Sequence, residues 1–350
     1  MNVKKNILVA PLNWGIGHAT RCIPIINKLI EHNYNVIIAS SGRSLELLIK
    51  EFPKNDFIKI TDYDVRYYSF LPLSFSIFFQ IPKILMRIKK EKNELKKIIT
   101  EFNIDGIISD NRFGFYSKTK KSVFITHQLE IQSPYFKNLI QKINYSYINK
   151  FSQCWILDYK ESSLAGSLSN PKKETKNQKY IGPQSRFEKR EAKKNYDILA
   201  IVSGPEPQRT IFEKILIKEL KKIDKKSLLV QGKPEKNNKK TDKNLSVISH
   251  LSSKELNNAI LKSKLIICRS GYSTIMDLSK LEKNAILVPT PGQTEQEYLA
   301  KYLSKNGSFK SQKQNGFSIE KAINQSKSFK KIKNHETEFD WSNLFKIFEK

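Results

Sequence analysis

Two histidines and an aspartate stand where a base would be useful. His18 closes the stretch Asn13-Trp14-Gly15-Ile16-Gly17-His18, directly after the apolar run Ile7 to Ala10. Asp110 ends the run Ile104 to Ser109, and His127, followed by Gln128, ends the run Ser122 to Thr126. If these runs are parallel strands, the three polar groups share one rim of a sheet, where open α/β sheets bind their ligands. A neutral imidazole there can take a proton from a hydroxyl, and a carboxylate can orient the ring. A lone histidine is as readily a helix cap or a core group, so the loop context is what makes His18 a candidate. Gly15 and Gly17 let backbone N–H groups meet an anion at a helix start. The loop is not a full Gly-x-Gly-x-x-Gly fingerprint, because Thr20-Arg21 occupy the place of a third glycine.

A second constellation lies between Leu265 and Leu299. Arg269-Ser270-Gly271 follow an apolar run, Leu265 to Cys268. Ser273 or Thr274 can cap the helix that carries Asp277. A second apolar run, Ala285 to Val288, ends at Pro289, and the polar loop Thr290 to Thr294 leads to Glu295-Gln296-Glu297. Strand, turn and helix repeated in this way suit a sugar nucleotide. Arg269 and the helix start favour phosphate, Asp277 can accept from ribose hydroxyls, and the Gln296 amide can both donate to and accept from a sugar. Leu251, just after a further strand, can offer backbone groups to a base. Taken singly, Asp277 also reads as a solvated helix acid and Gln296 as a surface amide.

The elements that position these groups alternate along the chain. The first half runs strand, helix, strand from Asn6, as a right-handed βαβ series does. Lys179 to Ile181 lead into Gly182-Pro183, a natural stop. The pattern restarts with a strand over Asp197 to Val202 and a loop beginning Ser203-Gly204. Lys233 to Asn244 reads as a polar, mobile loop. The expected architecture is α/β, with one Rossmann-like domain over 1–183, a second over 184–325, and a tail over 326–350 whose amphipathic end, Trp341 to Phe348, packs back on the first.

The chain has 350 residues and a formal charge of +28, carried by 62 lysines and arginines. Only nine of these are arginine, and the lysines are spread rather than clustered. A dedicated nucleic-acid face clusters its charge and uses arginine, so no nucleic-acid partner is expected. Cys22, Cys154 and Cys268 lack zinc or redox spacing and read as core residues of a reduced protein. No Gly-Lys-Ser/Thr P-loop is present, which argues against a nucleoside triphosphatase. Nor is there a signal peptide or a membrane span, so a cytoplasmic location is expected. Tyr67 to Arg87 is dense in aromatic and aliphatic residues, and a lysine-rich helix follows it. It is either a hairpin packed on its domain or a surface that dips into an anionic bilayer.

The motifs Cys-Arg-Ser-Gly-x-x-Thr-x-x-Asp, Val-Pro-x-Pro and Glu-Gln-Glu-Tyr, at 268–277, 288–291 and 295–298, resemble the C-terminal domain of MurG-type glycosyltransferases. Gly15-Ile16-Gly17-His18 is similar to that family's first glycine loop, and Thr126-His127-Gln128 to a shortened form of its His-Glu-Gln-Asn segment. Gly182 to Arg186 is similar to its interdomain linker. The resemblance implies a GT-B fold, two doubly wound domains facing a cleft, and an inverting transfer without metal or cofactor. It places Asp277 on the uridine ribose, Gln296 and Glu297 at the donor sugar, Leu251 at the uracil, and Ser203-Gly204 near the diphosphate. Gly15, Gly17, His127 and Gln128 fall on the acceptor side, where the departures from the family are concentrated. The expected activity is therefore transfer of a hexose or N-acetylhexosamine from a UDP-sugar, by His18 with Asp110, to an unidentified acceptor. That acceptor is expected to be lipid-linked or part of the cell envelope, at the inner membrane face. A UDP-sugar 2-epimerase of the same fold and a non-enzymatic basic membrane- or nucleic-acid-binding protein are the competing readings.

Overall fold

The computed structural model describes residues 4–63, 80–132, 137–161, 163–171, 177–332 and 339–349. The chain divides into two compact units, one of Met1–Gln184 with Glu336–Lys350, the other of Ser185–His335.

In the first unit the apolar runs become β1 (Asn6–Pro11), β2 (Asn35–Ser40), β3 (Asp56–Lys59), β4 (Gly106–Asp110), β5 (Lys121–Thr126), β6 (Gln153–Ile156) and β7 (Gln178–Tyr180). They form one parallel sheet in the order β3-β2-β1-β4-β5-β6-β7. Most of β1, β2, β4 and β5 is buried, as expected of central strands covered on both faces. The register pairs Pro11 with Asp110 and Asp110 with Ile125, so β1, β4 and β5 end side by side.

Helix α1 (Gly17–Glu31) follows β1 and buries Ala19, Cys22, Ile23, Ile25, Ile26 and Leu29. It begins at Gly17, so His18 lies in its first turn and Pro24 in its interior. Helices α2 (Gly42–Glu51), α3 (Ile81–Glu101) and α4 (Lys137–Ile148) complete the layers among the described residues. Of the segment Tyr67 to Arg87, residues 67–79 lie outside the described chain and the rest opens α3.

A fully buried ion pair holds the carboxyl ends of this sheet. Arg112 Nη1 meets Glu91 Oε1 of α3 at 2.7 Å, with both side chains completely covered. The same guanidinium donates to the carbonyls of Pro11 (3.2 Å) and Thr61 (3.3 Å) and to Ser41 Oγ (3.4 Å). Glu91 Oε2 accepts from Tyr63 OH at 2.7 Å and from the Gly114 amide at 3.1 Å. Burial pushes the Glu91 carboxyl up, against the pull of Arg112. Arg112 thus ties the loops after β1, β2 and β3 to its own loop after β4.

The C-terminal segment Trp341–Phe345, continued by a turn to Phe348, packs on this unit. Phe345 meets Tyr34 and Trp155, and the Phe348 carbonyl accepts from Lys5 Nζ at 2.8 Å. A side chain at Gly106 would run into the Phe348 ring, so β4 needs glycine there.

The second unit has its own sheet: β8 (Tyr196–Ile201), β9 (Ser227–Val230), β10 (Lys239–Asp242), β11 (Leu245–Ile248), β12 (Ser263–Cys268), β13 (Ala285–Leu287) and β14 (Phe309–Ser311). The order is β10-β11-β9-β8-β12-β13-β14, parallel except for β10. Strand β10 corrects the expectation of an unstructured loop over Lys233 to Asn244, since Lys239–Asp242 pairs antiparallel with β11. Its residues are all exposed and charged or polar, which suits an edge that must not recruit another strand. Helices α5 (Gln208–Leu220), α6 (Ser253–Leu261), α7 (Tyr272–Lys280), α8 (Thr294–Lys305) and α9 (Ile319–Ser326) connect the strands. Ile198, Ala200, Phe212, Leu216, Ile267 and Ile286 lie in its core.

Candidate functional site

The parallel sheet of the first unit brings His18, Asp110 and His127 together, and it does so through Arg21. Arg21 Nε donates to Asp110 Oδ2 at 2.6 Å, and Nη2 donates to Oδ1. Arg21 Nη1 lies 2.9 Å from His127 Nδ1, and Nη2 lies 2.9 Å from His18 Nδ1. His18 Nδ1 is also 3.0 Å from Asp110 Oδ1. Asp110 is fully buried, whereas the His18 side chain keeps 15% of its surface exposed. The reactive ring therefore sits at the edge of a covered charge pair.

Hydrogen-bond roles follow from what each group can do. A guanidinium only donates, so His127 Nδ1 accepts and its ring proton lies on Nε2. His18 Nδ1 can donate to Asp110 or accept from Arg21, but not both. Donation to Asp110 leaves Nε2 with a lone pair, the form a general base needs. Burial pushes the His18 pKa below its ordinary value; Asp110 pulls it up and Arg21 down again. Burial alone would raise the Asp110 carboxyl, but Arg21 and His18 hold it well below the usual carboxylate range. Cys22, 3.6 Å from Asp110 Oδ2, is pushed up by burial and by that carboxylate, so it is no nucleophile here.

The glycine loop is placed by its neighbours. Gly15 adopts φ +90°, with open space where a side chain would stand. Gly17 is the first residue of α1, and its carbonyl accepts from Thr20 Oγ1 at 3.0 Å. Asn13 Oδ1 accepts from the Ser44 amide at 3.2 Å, and its Nδ2 donates to Asp62 at 2.8 Å. The Gln128 amide donates to Thr126 Oγ1 at 3.0 Å, which turns the chain after β5. An Asp-x-Asp tripeptide does occur, Asp62-Tyr63-Asp64. Asp62 takes Asn13, Tyr63 donates to Glu91, and Asp64 lies outside the described residues. No group of three potential metal ligands occurs among the described residues.

In the second unit, α5, α7 and α8 begin beyond the carboxyl ends of the adjacent strands β8, β12 and β13. None has a side-chain cap, whereas α6 carries a Ser252–Glu255 capping box and α9 is capped by Ser318. The dipole of a helix start favours an anion, although in α5 the Thr210 amide already donates to Glu206 Oε2 at 3.2 Å. Ser203 and the exposed Gly204 (φ +105°) lie at the end of β8. The cap of α7 is Gly271, which corrects the expectation of Ser273 or Thr274; both lie inside the first turn.

Arg269 departs from the expected role. It is 1% exposed, and its donors go to the carbonyls of Val288 (3.1 Å), Pro289 (3.2 Å) and Gln208 (3.0 Å) and to Gln314 Oε1 (2.6 Å). It lies over the Phe212 ring at 4.0 Å. Burial lowers its pKa to about 9. Those four terminal N–H groups hold strand ends together, so a direct phosphate contact through them is replaced by a structural role.

The other expected donor residues shape a loop. Ser270 Oγ donates to the Gln296 carbonyl at 2.8 Å. Gln296 Oε1 accepts from the Thr290 amide at 2.9 Å, and Glu297 Oε1 from the Gly292 amide at 3.0 Å. Thr290 to Gly292 are thereby folded onto the start of α8. Leu251 is half-buried just before the Ser252 cap. Asp277 is half-buried on α7, and its Oδ1 accepts from Ser185 Oγ at 2.5 Å. Burial lifts the Asp277 carboxyl to about 6, although Arg186 and the Ser185 hydroxyl pull it down.

Arg21, Arg112, Ser185 and Thr290 were not singled out as site residues from sequence. Arg21 carried one usable signal, its place one helical turn after His18. Thr290 carried none.

Comparison with known proteins supplies the class. Residues 199–340 match the glycosyltransferase family 28 C-terminal domain. The whole chain is similar in structure to the glycotransferase of kitacinnamycin, at TM-score 0.65 and 12% identity over 93% of this chain and 91% of that one. It is similar also to MurG of Acinetobacter baumannii (TM-score 0.56, 14% identity, 92% and 89% covered). A third likeness is the spinosyn rhamnosyltransferase SpnG complexed with thymidine diphosphate (TM-score 0.55, 11% identity, 87% and 86% covered). No curated protein matches. The chain thus has the α/β, two-domain GT-B fold. Its second unit carries the C-terminal domain type of glycosyltransferase family 28.

Thr290 yields a stability prediction. Its hydroxyl is buried, has no hydrogen-bond partner, and lies 3.6 Å from where a Cβ on Gly204 would stand. Leaving such a group unpaired costs about 1–3 kcal/mol. Thr290→Val is expected to unfold at the same or higher urea concentration than the unliganded parent. A clear drop in the midpoint would show that the hydroxyl is bonded after all.

Proposed function

We propose that this chain is an inverting glycosyltransferase that moves a hexose or N-acetylhexosamine from a UDP-sugar to an acceptor hydroxyl. The observation that carries this reading is the family 28 match over the unit that holds Asp277 and three helices whose N-cap residues make no side-chain cap. Within it, the α5, α7 and α8 N-termini stabilise the diphosphate, Asp277 accepts from ribose hydroxyls, and Gln296 with Glu297 presents the loop that meets the sugar. Leu251 offers backbone groups to the base. In the first unit, His18 deprotonates the acceptor with its ring held by Asp110, beside the loop of Gly15 and Gly17 and the turn at His127 and Gln128. The acceptor oxygen attacks the anomeric carbon, the bond to the diphosphate breaks, and UDP leaves with its charge on helix N–H groups. That SpnG was crystallised with thymidine diphosphate makes dTDP-sugars the first donors to compare with UDP-sugars.

Donor binding is expected to raise the melting temperature, because a ligand of the native state stabilises it. Screening UDP-, GDP- and dTDP-sugars reads this directly; no shift with any would sink the donor reading. The Asp277 carboxyl titrates near 6. A ribose hydroxyl donates to its charged form, so donor affinity should rise as pH increases through about 6 in the parent. Asp277→Asn should remove that step, and a parent-like pH profile in the variant would count against the ribose contact.

His18→Ala should lower turnover by about 100-fold or more, the usual worth of a general base, with donor affinity retained. Full turnover by this variant would remove His18 from the mechanism. Turnover in excess chelator should equal that without it, and conversion of donor without acceptor would favour the 2-epimerase instead.

We place the acceptor at an anionic membrane surface, lipid-linked and on its cytoplasmic side. Supporting this, Leu85 and Met86 are exposed on α3 beside exposed Lys89 and Lys90, and Glu91 and Glu94 of that helix pair with Arg112 and Arg87. No helix among the described residues is long and apolar enough to cross a membrane. Met86→Glu with Lys89→Glu and Lys90→Glu should abolish cosedimentation with phosphatidylglycerol vesicles. A parent chain that stays in the supernatant would refute the placement.

A further inference from the structure

Arg21 is the centre of the first-unit cluster. The groups around His18 come from three elements: Arg21 and Cys22 from α1, Asp110 from the end of β4, and His127 from the turn after β5. The guanidinium touches His18, Asp110 and His127. It forks onto both oxygens of Asp110 and reaches both Nδ1 atoms, each at 2.9 Å. It is 3% exposed, so its charge acts through protein rather than water.

We propose that Arg21 is a positioning residue that keeps the His18 ring unprotonated and fixes His127 with its proton on Nε2.

Arg21 acts in two ways. A buried carboxylate beside an imidazole favours the imidazolium, which cannot accept a proton. Asp110 alone would therefore spoil His18 as a base while orienting it. Arg21 cancels that charge without removing the acceptor, so Asp110 can take the His18 Nδ1 proton and leave Nε2 with its lone pair. The second is geometric. Because Arg21 can only donate, its contact with His127 is possible only when Nδ1 of that ring is bare. One guanidinium thus holds the His127 proton on Nε2 and offsets the Asp110 charge beside His18, whose Nδ1 lies within reach of both Asp110 Oδ1 and Arg21 Nη2. Lysine cannot do the same, since a single ammonium lacks the planar fork.

This inference rests on His18 as the base but deepens it, and its test needs neither donor nor acceptor. The five histidines can be followed by nitrogen-15 NMR of the full chain, with His18 and His127 assigned by His18→Gln and His127→Gln. In the parent, neutral His127 should show a protonated Nε2 and a bare Nδ1. A protonated Nδ1 overturns the proposal, whatever any variant does. In Arg21→Gln, removal of the adjacent positive charge should raise the His18 titration midpoint by about one pH unit or more. Arg21→Lys restores the charge and should bring the midpoint back toward the parent. An unchanged midpoint in Arg21→Gln overturns the electrostatic half. If Arg21→Gln does not fold, the parent tautomer and the Arg21→Lys midpoint decide the matter. An inactive protein that nevertheless shows these signals would count against the transferase reading and not against Arg21.

Discussion

Parallel sheets end in backbone carbonyls that point toward the ligand side, and those that are covered must find donors. In this chain buried arginines supply them. Arg112 serves Pro11 and Thr61 in the first unit. Arg269 serves Val288, Pro289 and Gln208 in the second, and Arg209 serves Gln231 there. Arg87 also donates to the Thr61 carbonyl and Arg21 to the Asp110 carboxylate, while abundant lysines occupy exposed faces such as β10. The division follows from their chemistry. A guanidinium is weakly hydrated and delivers several donors in one plane, whereas an ammonium holds its water. Each candidate site is then built on loops anchored by buried, charged side chains. Where such an arginine is paired with a buried carboxylate, as Arg112 is with Glu91, removing one partner costs about 3–5 kcal/mol.

That division explains which parts of the molecule were legible beforehand. The order of strands and helices was, because Ile7 to Ala10, Ser122 to Thr126 and Leu265 to Cys268 are unmistakable apolar runs bounded by polar turns. The convergence of His18, Asp110 and His127 was also legible, since it needs only parallel strands of known order. Strand β10 was not, because Lys239 to Asp242 pair through backbone and bury nothing. Pattern reading sees side chains, and an exposed edge strand has no apolar pattern to show. Helix α1 starts at Gly17 although Gly17 and His18 are poor helix formers, because the turn after β1 holds them there. Pro24 then falls inside the helix, where the tertiary contacts of Cys22, Ile25 and Ile26 outweigh its local cost.

Arg269 is the instructive failure. A cationic side chain directly after a strand and before a helix looks the same whether it reaches a phosphate or turns back onto carbonyls. What separates the two is burial, and burial depends on Phe212 and Gln314, residues 57 positions before and 45 after it. Arg21 fails in the opposite sense. Inside an amphipathic helix it reads as a solvated residue, yet it is 3% exposed because Asp110 and His127, far away in sequence, meet it. In both cases the role is set by long-range partners, and a single sequence carries no trace of them.

Asp277 shows how stability and ligand binding oppose each other at one carboxyl. Its pKa is lifted from 3.8 to about 6 by burial. A folded-state pKa raised above the unfolded value means that the fold gains from this group below about pH 4, where both states are protonated, and loses that gain as pH rises through about 6. At neutral pH the carboxylate is therefore a charge the fold holds at a cost, and the Ser185 hydroxyl is the donor that offsets part of it. A ribose hydroxyl is chemically the same donor. In the proposed donor complex a ribose hydroxyl would add a second donor to a carboxylate that the fold holds at a cost. The same reasoning covers the Thr290 hydroxyl, buried beside Gly204 with no partner. That hydroxyl is a polar group the protein keeps in place without satisfying, and a ligand site is where such a group can persist.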